Sequence, residues 1–383
     1  MRDVEGLVRE LAQGKISRRQ FLYRGAQMGL ATSAVAGVLA ACGTKEGEAP
    51  AGTSPAPMDT TKPDKLFLYN WSNYMTPGIK KGFKQKYGIS IVETYFDDNE
   101  ALLAKLKSGA RGYDVIIPTN YMVQIMVKTG LLLPLNMKYI PNFKYVGPKF
   151  ASPSFDQWPD GKKYSVPYQW GTTALGVRLD KVSEPITKWA QLWDPAYKQK
   201  INMLNDERDT PGVALRKNGY SINTTSQAEL DTATADLIAQ KPLVREYDSL
   251  NMKRNLVAGV PLVMTWNGDC LLAMQEVGED KVKYVFPEEG YSVWVDNMCN
   301  PIGSPSPYAA HLFMDYLCDP QVNADLTNYN QYSSPIPAAD AYTQKFIIDH
   351  LPTQAELERG EFLNDVGAFA RNYSEAWAKV KSA

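Results

Sequence analysis

The chain has 383 residues with 44% hydrophobic content, enough for one large core or two ordinary ones. Its 41 basic and 42 acidic side chains give a formal net charge of -1, which argues against a nucleic-acid binder, since that would need a basic excess or a basic face. The 22 tyrosines and 8 tryptophans supply flat amphipathic rings that suit a binding surface as well as a core.

The first segment stands apart from the fold. Ser17-Arg18-Arg19-Gln20-Phe21-Leu22 sets adjacent arginines ahead of a mildly apolar stretch, Gly25 to Ala41, that ends in small residues, as in an export signal. Arg18-Arg19 followed by Phe21-Leu22 resembles the twin-arginine signal, and Leu39-Ala40-Ala41-Cys42 resembles a bacterial lipobox, whose cysteine becomes lipidated after cleavage. An uncut anchor helix is the competing reading; the run is shorter than the roughly 20 residues a span needs and is broken by Gly29 and Gly37. Residues 1–41 are therefore expected to be a signal peptide and 42–63 a flexible tether, poor in large apolar groups apart from Met58. The folded part begins near Asp64. With Cys42 taken by lipid, Cys270, Cys299 and Cys318 remain without metal-ligand spacing, and one disulfide or none is open.

From there strands alternate with helices. Lys65 to Trp71 reads as a strand, then Pro77 to Tyr87 as a helix with Thr76 as N-cap and Gly88 past its end. Ile89 to Tyr95 is a strand, and Asn99 to Ser108 a helix with Leu102, Leu103 and Leu106 on one face. Asp114 to Pro118 and Tyr121 to Thr129 complete a third strand and helix. This alternation predicts a parallel sheet flanked by helices, with ligands beyond the strand ends, where Trp71-Ser72-Asn73-Tyr74 and Thr119-Asn120-Tyr121 stand. After Gly171 the pattern restarts: strands at 201–204, 243–247 and 262–266, and helices from Pro211 toward Asn218, at 228–240 and at 253–259. Two α/β lobes follow from that. The chain after Tyr308 reads as mainly helical.

The stretch from Met264 to Asp296 is the richest chemically. Met264-Thr265-Trp266 reads as an apolar strand, Asn267-Gly268 as a turn, and Asp269 as the acid opening a helix. In a strand, Trp294 and Asp296 project to one face. A ring face beside a carboxylate attracts ammonium through both quadrupole and charge. The plainer alternative is that both indoles fill a core and that Asp269 caps a helix. Asp206 and Asp209 lie at another strand end, where Asp209 could cap the helix at Pro211 and Arg208 could pair with Asp206.

Catalytic signatures are sparse. His311 and His350 sit in the helical tail, with no phosphate loop, paired cysteines or nucleophile elbow in view. A glycosidase would need only two carboxyl groups, and Asp206, Asp209, Asp269 and Asp296 offer them.

Asn70-Trp71-Ser72-Asn73-Tyr74, Tyr113-Asp114-Val115-Ile116-Ile117-Pro118, Ser165-Val166-Pro167-Tyr168, Thr265-Trp266-Asn267-Gly268-Asp269, Trp294-Val295-Asp296 and Asn364-Asp365-Val366-Gly367 stand in the order and spacing of the spermidine/putrescine-binding proteins of bacterial ABC importers. The chain resembles that family over nearly everything after the tether. The resemblance implies an α/β, two-lobed periplasmic-binding-protein fold of type II, each lobe a mixed sheet flanked by helices. One lobe would be 64–170 plus 295–336, the other 171–294 plus 337–383. It implies a binding protein and not an enzyme, without cofactor or metal, that captures putrescine or spermidine. Its partners would be an ABC transporter permease and, through Cys42, a membrane at the periplasmic or extracellular face, with a monomer expected.

By matching position, Trp71, Tyr74, Tyr121, Trp266, Trp294 and Tyr332 would line the slot for the methylene chain. Asp206, Asp209 and Asp296 match acids that hold amines in spermidine-binding members, and Asp269 matches one used in putrescine-binding members. Ser72, Thr119 and Ser249 match polar contacts. Asn73 stands where relatives carry an acid, and Leu363 where the spermidine binders carry glutamine, which leaves the preferred polyamine open. A different solute, such as an amino acid or another organic cation, and an exported hydrolase remain as alternatives.

Overall fold

The computed structural model describes residues 58–383; the signal and lipidation readings at Arg18-Arg19 and Cys42 lie outside the described residues. The described part opens with strand β1 (Lys65–Asn70), helix α1 (Pro77–Tyr87), β2 (Ser90–Tyr95), α2 (Asn99–Lys107), β3 (Val115–Ile116) and α3 (Asn120–Lys128). Strand β1 pairs in parallel with β2 on one side and β3 on the other. Local chemistry sets these boundaries. The Thr76 hydroxyl accepts the Ile79 N–H at 2.9 Å, Pro77 needs no amide partner, and Gly88 takes φ 79° while its N–H closes on the Lys84 carbonyl. Losing such a side-chain cap costs about 1 kcal/mol. Helix α1 then buries Ile79 and Phe83, and α2 buries Leu102 and Leu106 while Leu103 stays partly exposed.

The middle of the molecule differs from that pattern. Strand β4 (Ser165–Arg178) runs 14 residues and is buried along its whole length, with no alternation of polar and apolar faces. Strand β9 (Tyr291–Cys299) is also buried throughout, and it pairs antiparallel with β4 from Ser165–Cys299 to Thr173–Ser292, with a register shift between Pro167 and Gln169. Between them in sequence come β5 (Ile201–Met203), α4 (Asp209–Lys217), α5 (Gln227–Gln240), β6 (Val244–Tyr247), α6 (Met252–Val257), β7 (Leu262–Trp266), α7 (Asn267–Val277) and β8 (Val282–Val285). After β9 follow α8 (Pro307–Leu317), α9 (Pro320–Asn330), a short strand β10 (Gly360–Phe362) and α10 (Ala370–Ser382).

The strand order is β2-β1-β3-β9-β4-β7-β5-β6, with β10 on β9 and β8 on β4. Parallel groups, β2-β1-β3 and β7-β5-β6, thus hang on either side of the antiparallel pair β9-β4. A strand covered on both faces reads as a continuous run, which is why β4 carries no period-2 signal in the sequence. Cys270, Cys299 and Cys318 are buried free thiols, so the disulfide left open by the sequence is not formed among them. Among the described residues no helix is long and apolar enough to cross a membrane.

Candidate functional site

A cavity of about 640 Å³ lies at the strand ends, and its walls come from both parallel groups and from β9. The turn after β1 supplies Trp71, Ser72, Asn73 and Tyr74; the start of α3 supplies Thr119 and Tyr121. From the other parallel group come Asp206 and Asp209 after β5, Ser249 after β6, and Trp266 and Asp269 at the β7–α7 junction. Strand β9 contributes Trp294 and Asp296, and the segment after α9 contributes Tyr332. Every candidate position from the sequence therefore faces one space, together with Leu363.

Asp296 is built into a network at one end. It is 6% exposed and accepts the Tyr74 hydroxyl at 2.8 Å and the Thr119 hydroxyl at 2.7 Å. Thr119 is in turn fixed by Asn99, whose side chain receives its N–H and donates to its hydroxyl. Burial pushes the Asp296 carboxyl up to about 7, against the two hydroxyls that favour its charge.

Asp209 stands at the other end. It is the first residue of α4 and accepts the Ser292 hydroxyl and, at 3.0 Å, the Thr173 hydroxyl. Burial, and then the nearby charge of Asp206, push it up to about 7, while Ser292, Thr173 and Trp266 hold it down. Ser292, Trp294 and Asp296 alternate along β9, so the two acids lie about 13 Å of strand apart with an indole between them. That indole sits against β4 where only glycine fits: a Cβ on Gly171 would come 2.4 Å from the Trp294 ring. Tyr332 crosses Trp294 edge-on at 5.2 Å between ring centroids and gives its hydroxyl to Asp269 at 2.8 Å. Burial raises the Asp269 carboxyl also, opposed by that Tyr332 bond and by Lys253.

Three local readings from the sequence do not hold, the last two of them weighed there only as alternatives. Asn267-Gly268 is not a turn, because α7 starts directly after Trp266 and Asp269 lies in its first turn. The glycine answers instead to packing, since a Cβ there would meet the Asn330 carbonyl at 2.5 Å and the Tyr332 ring at 2.7 Å. Nor does Asp209 cap α4. Asp206 does, by accepting the backbone N–H groups of Arg208 at 2.8 Å and Asp209 at 2.7 Å, which frees the Asp209 carboxylate for hydroxyl partners. The Arg208 guanidinium does not pair with Asp206 either. It gives hydrogen bonds to Asn223 and the Asn364 carbonyl and lies over the rings of Tyr121 and Tyr373 at 5.4 Å and 4.8 Å.

Some participants escaped the sequence reading. Glu100 accepts the Tyr121 hydroxyl at 2.9 Å and is pushed up to about 8 by burial, with Asp206 and Glu207 adding like charge. Its signal was poor, since an acid in the first turn of a helix is ordinary N-terminal decoration. Phe96 backs Trp71 at 4.5 Å, and Arg208, Lys253 and Arg254 put basic groups on the same walls.

Aromatic faces backed by buried carboxylates that sit near neutrality form a surface for organic cations: an arriving ammonium supplies the missing counter-charge, and the rings hold the chain between charges.

Comparison with known proteins agrees with this surface. Residues 79–353 match the family described as bacterial extracellular solute-binding protein. A spermidine/putrescine-binding periplasmic protein of Salmonella typhimurium is 33% identical over 325 residues, 83% of this chain and 92% of that protein. A putrescine/cadaverine-binding protein of Pseudomonas aeruginosa is 30% identical over 339 residues, covering 84% and 94% of the two chains. Among solved structures, a putative spermidine/putrescine ABC transporter from Listeria monocytogenes superposes with a TM-score of 0.79 at 29% identity, over 83% of this chain and 99% of that one. The fold is the two-lobed α/β type II periplasmic-binding-protein fold, and the homologues are substrate-binding transport proteins.

Proposed function

Because the chain belongs to the bacterial extracellular solute-binding protein family, we infer that it captures a polyamine, putrescine or spermidine, between its lobes and delivers it to the permease of an ABC importer. The observation that carries this is the pair of buried carboxylates, Asp209 and Asp296, at opposite ends of the Trp294 indole. In this reading the ammonium groups sit at the acids, Asp206 and Asp269 included. The methylenes lie along Trp71, Tyr74, Tyr121, Trp266, Trp294 and Tyr332, and Ser72, Thr119 and Ser249 complete the polar contacts.

The lobes are 64–170 plus 295–336 and 171–294 plus 337–383, so that β4, β9 and the segment at Ile336-Pro337 are the three crossings about which they close. Ligand stabilises the closed state because only there does it touch both sets of walls. In this reading export by the twin-arginine route and lipidation at Cys42 tether the monomer to a membrane at the periplasmic or extracellular face.

A thermal-unfolding series with putrescine, cadaverine, spermidine, spermine, an amino acid and a neutral sugar tests the assignment. Ligand at 100 times its dissociation constant adds about 2.7 kcal/mol, a shift of several degrees for a chain of this size. A shift with one or more of the amines and none with the sugar is the expected result, and the best chain length names the polyamine. A shift with the sugar or the amino acid alone would overturn the polyamine and leave the fold.

A further inference from the structure

A second cavity, of about 230 Å³, shares no lining residue with the first. One wall is Gly147 with the start of the short helix Pro148–Ala151; the floor is Trp170 of β4 with Ser333, joined backbone to backbone at 3.0 Å in both directions. Ile347 and Ile348 close the opposite side. Phe150, Trp170 and the two isoleucines give it an apolar body.

Of the polar side chains on its walls, Thr327, Ser334 and Thr343 make hydrogen bonds within the protein, whereas Lys149, Ser333 and Asp340 make none among the described residues. Ser333 is only 4% exposed, and its hydroxyl, open to the cavity rather than sealed from water, makes no hydrogen bond among the described residues. Lys149 reaches over the floor with Nζ 5.3 Å from the Trp170 ring and 5.3 Å from the Phe362 ring. Partial burial lowers its ammonium from the usual range. Asp340 lines the same space, and partial burial raises its carboxyl. Neither has an opposite charge within 4.0 Å among the described residues, and they do not pair with each other. A cation and an anion at one apolar cavity that leave each other unpaired are complementary to a molecule carrying both charges. The volume, below that of pockets for drug-sized molecules, limits that molecule to a small one.

We propose that this cavity is a second ligand site, for a zwitterionic amino acid with an apolar side chain, its carboxylate at Lys149 and the Ser333 hydroxyl, its ammonium at Asp340 and its side chain on Trp170 and Phe150. The site is independent of what the main cavity binds. Its consequence for uptake rests on the polyamine reading and the lobe assignment above: Lys149, Trp170 and Ser333 belong to one lobe and Asp340, Ile347 and Ile348 to the other. An amino acid bridging them biases closure, and it must change polyamine affinity by the same factor as the polyamine changes its own.

Calorimetry with L-leucine tests this, in parallel with 3-methylbutylamine, which lacks the carboxylate, and 4-methylpentanoate, which lacks the amine. Each is titrated into the protein alone and into protein saturated with putrescine or spermidine. The expected result is L-leucine binding that persists under polyamine saturation and is at least about tenfold tighter than either truncated analogue, the equivalent of about 1.4 kcal/mol. Lys149→Gln and Asp340→Asn, both at exposed residues, each weaken it about tenfold or more. Ile347→Trp fills the space and abolishes it, and Asp296→Ala leaves it unchanged. Absence of L-leucine binding overturns the proposal, as do equal affinities for the three probes. L-leucine displaced by polyamine or lost in Asp296→Ala places it in the main cavity and overturns the second site. If polyamines fail to bind while L-leucine binds with the stated dependence on Lys149, the second site stands and the polyamine reading falls.

Discussion

The two ends of the main cavity use the same device with different neighbours. At each, a buried carboxylate accepts two hydroxyls and is pushed up to about 7: Asp296 with Tyr74 and Thr119, Asp209 with Ser292 and Thr173. Asp296 has no other carboxylate acting on it, and the nearby turn offers the neutral Asn73. Asp209 stands beside Asp206, and through Asp206 the same field reaches Glu100 and Glu207. The cavity is therefore lopsided, with a solitary acid at one end and a cluster at the other. A solitary acid is the sole counter-charge for whatever cation it meets, whereas a cluster can share one.

The largest effect should come from the solitary end. Asp296→Ala strips an ammonium of its partner inside the cavity and should cost about 2–5 kcal/mol of polyamine binding, read by calorimetry. Asp209→Asn should cost less, about 1.5–3 kcal/mol, the worth of hydrogen bonds to a charged group, because Asp206 remains. If the second substitution proves as severe as the first, the cluster does not share its cation and the comparison fails.

Protonation sharpens the same contrast. Asp209 and Asp296 have carboxyls raised from the ordinary 3.8 to about 7, so the folded protein holds protons that the unfolded chain has released. Their contribution to stability is present below about pH 4 and is lost as pH rises through about 7. The ligand-free protein should melt at a lower temperature at pH 8 than at pH 5.5. Polyamine binding needs the ionised forms and runs the other way. Affinity should fall up to about tenfold per pH unit below 7 for each carboxyl that must ionise, about 1.4 kcal/mol per unit. Binding at pH 7 should release protons, visible as a dependence of the binding heat on the buffer's ionisation enthalpy. Asp296→Asn should remove one carboxyl's share of the affinity profile, while Asp209→Asn should leave the part that Asp296 and Glu100 carry.

How much of this was legible follows residue by residue. The outer strands and helices announce themselves through Thr76, Pro77 and Gly88 around α1 and through the leucines of α2, because caps and one-sided burial are local. Trp294 and Asp296 were legible because β9 sets them on one face, and others because aromatic and acidic residues collect after β1, β5 and β7, whereas Ser249 and Tyr332 came only from the family resemblance. Strand β4 was not, since burial on both faces erases the alternation that marks a strand. Nor was the antiparallel joining of β4 to β9, a pairing across more than a hundred residues with no local trace. Asn267-Gly268 misled because the turn propensity of that dipeptide was overridden by tertiary packing on Asn330 and Tyr332. Which of Asp206 and Asp209 caps α4 was open in the sequence because either acid can reach the first amides of α4, and only the loop geometry chooses. Glu100 needed Tyr121, brought to it from the next helix.

The smallest predicted effect bears most directly on the lopsidedness. Asn73 is exposed at the cavity wall with φ 57°, a backbone that Asn and Asp tolerate better than other side chains. Asn73→Asp therefore adds a charge without asking the turn to move. Because the site is open to water, the added pairing should be worth only about 0.5–1 kcal/mol, or roughly two- to fivefold in affinity. The gain should shrink with added salt. It should also depend on ligand length: a polyamine long enough to place an ammonium beside residue 73 while still meeting Asp296 gains, and a shorter one does not. Measuring the gain across diamines, triamines and tetraamines thus reports where along the slot the ligand ends. An equal gain for every length would mean that residue 73 acts through the general field of the cavity, and the neutral end would then be no end at all.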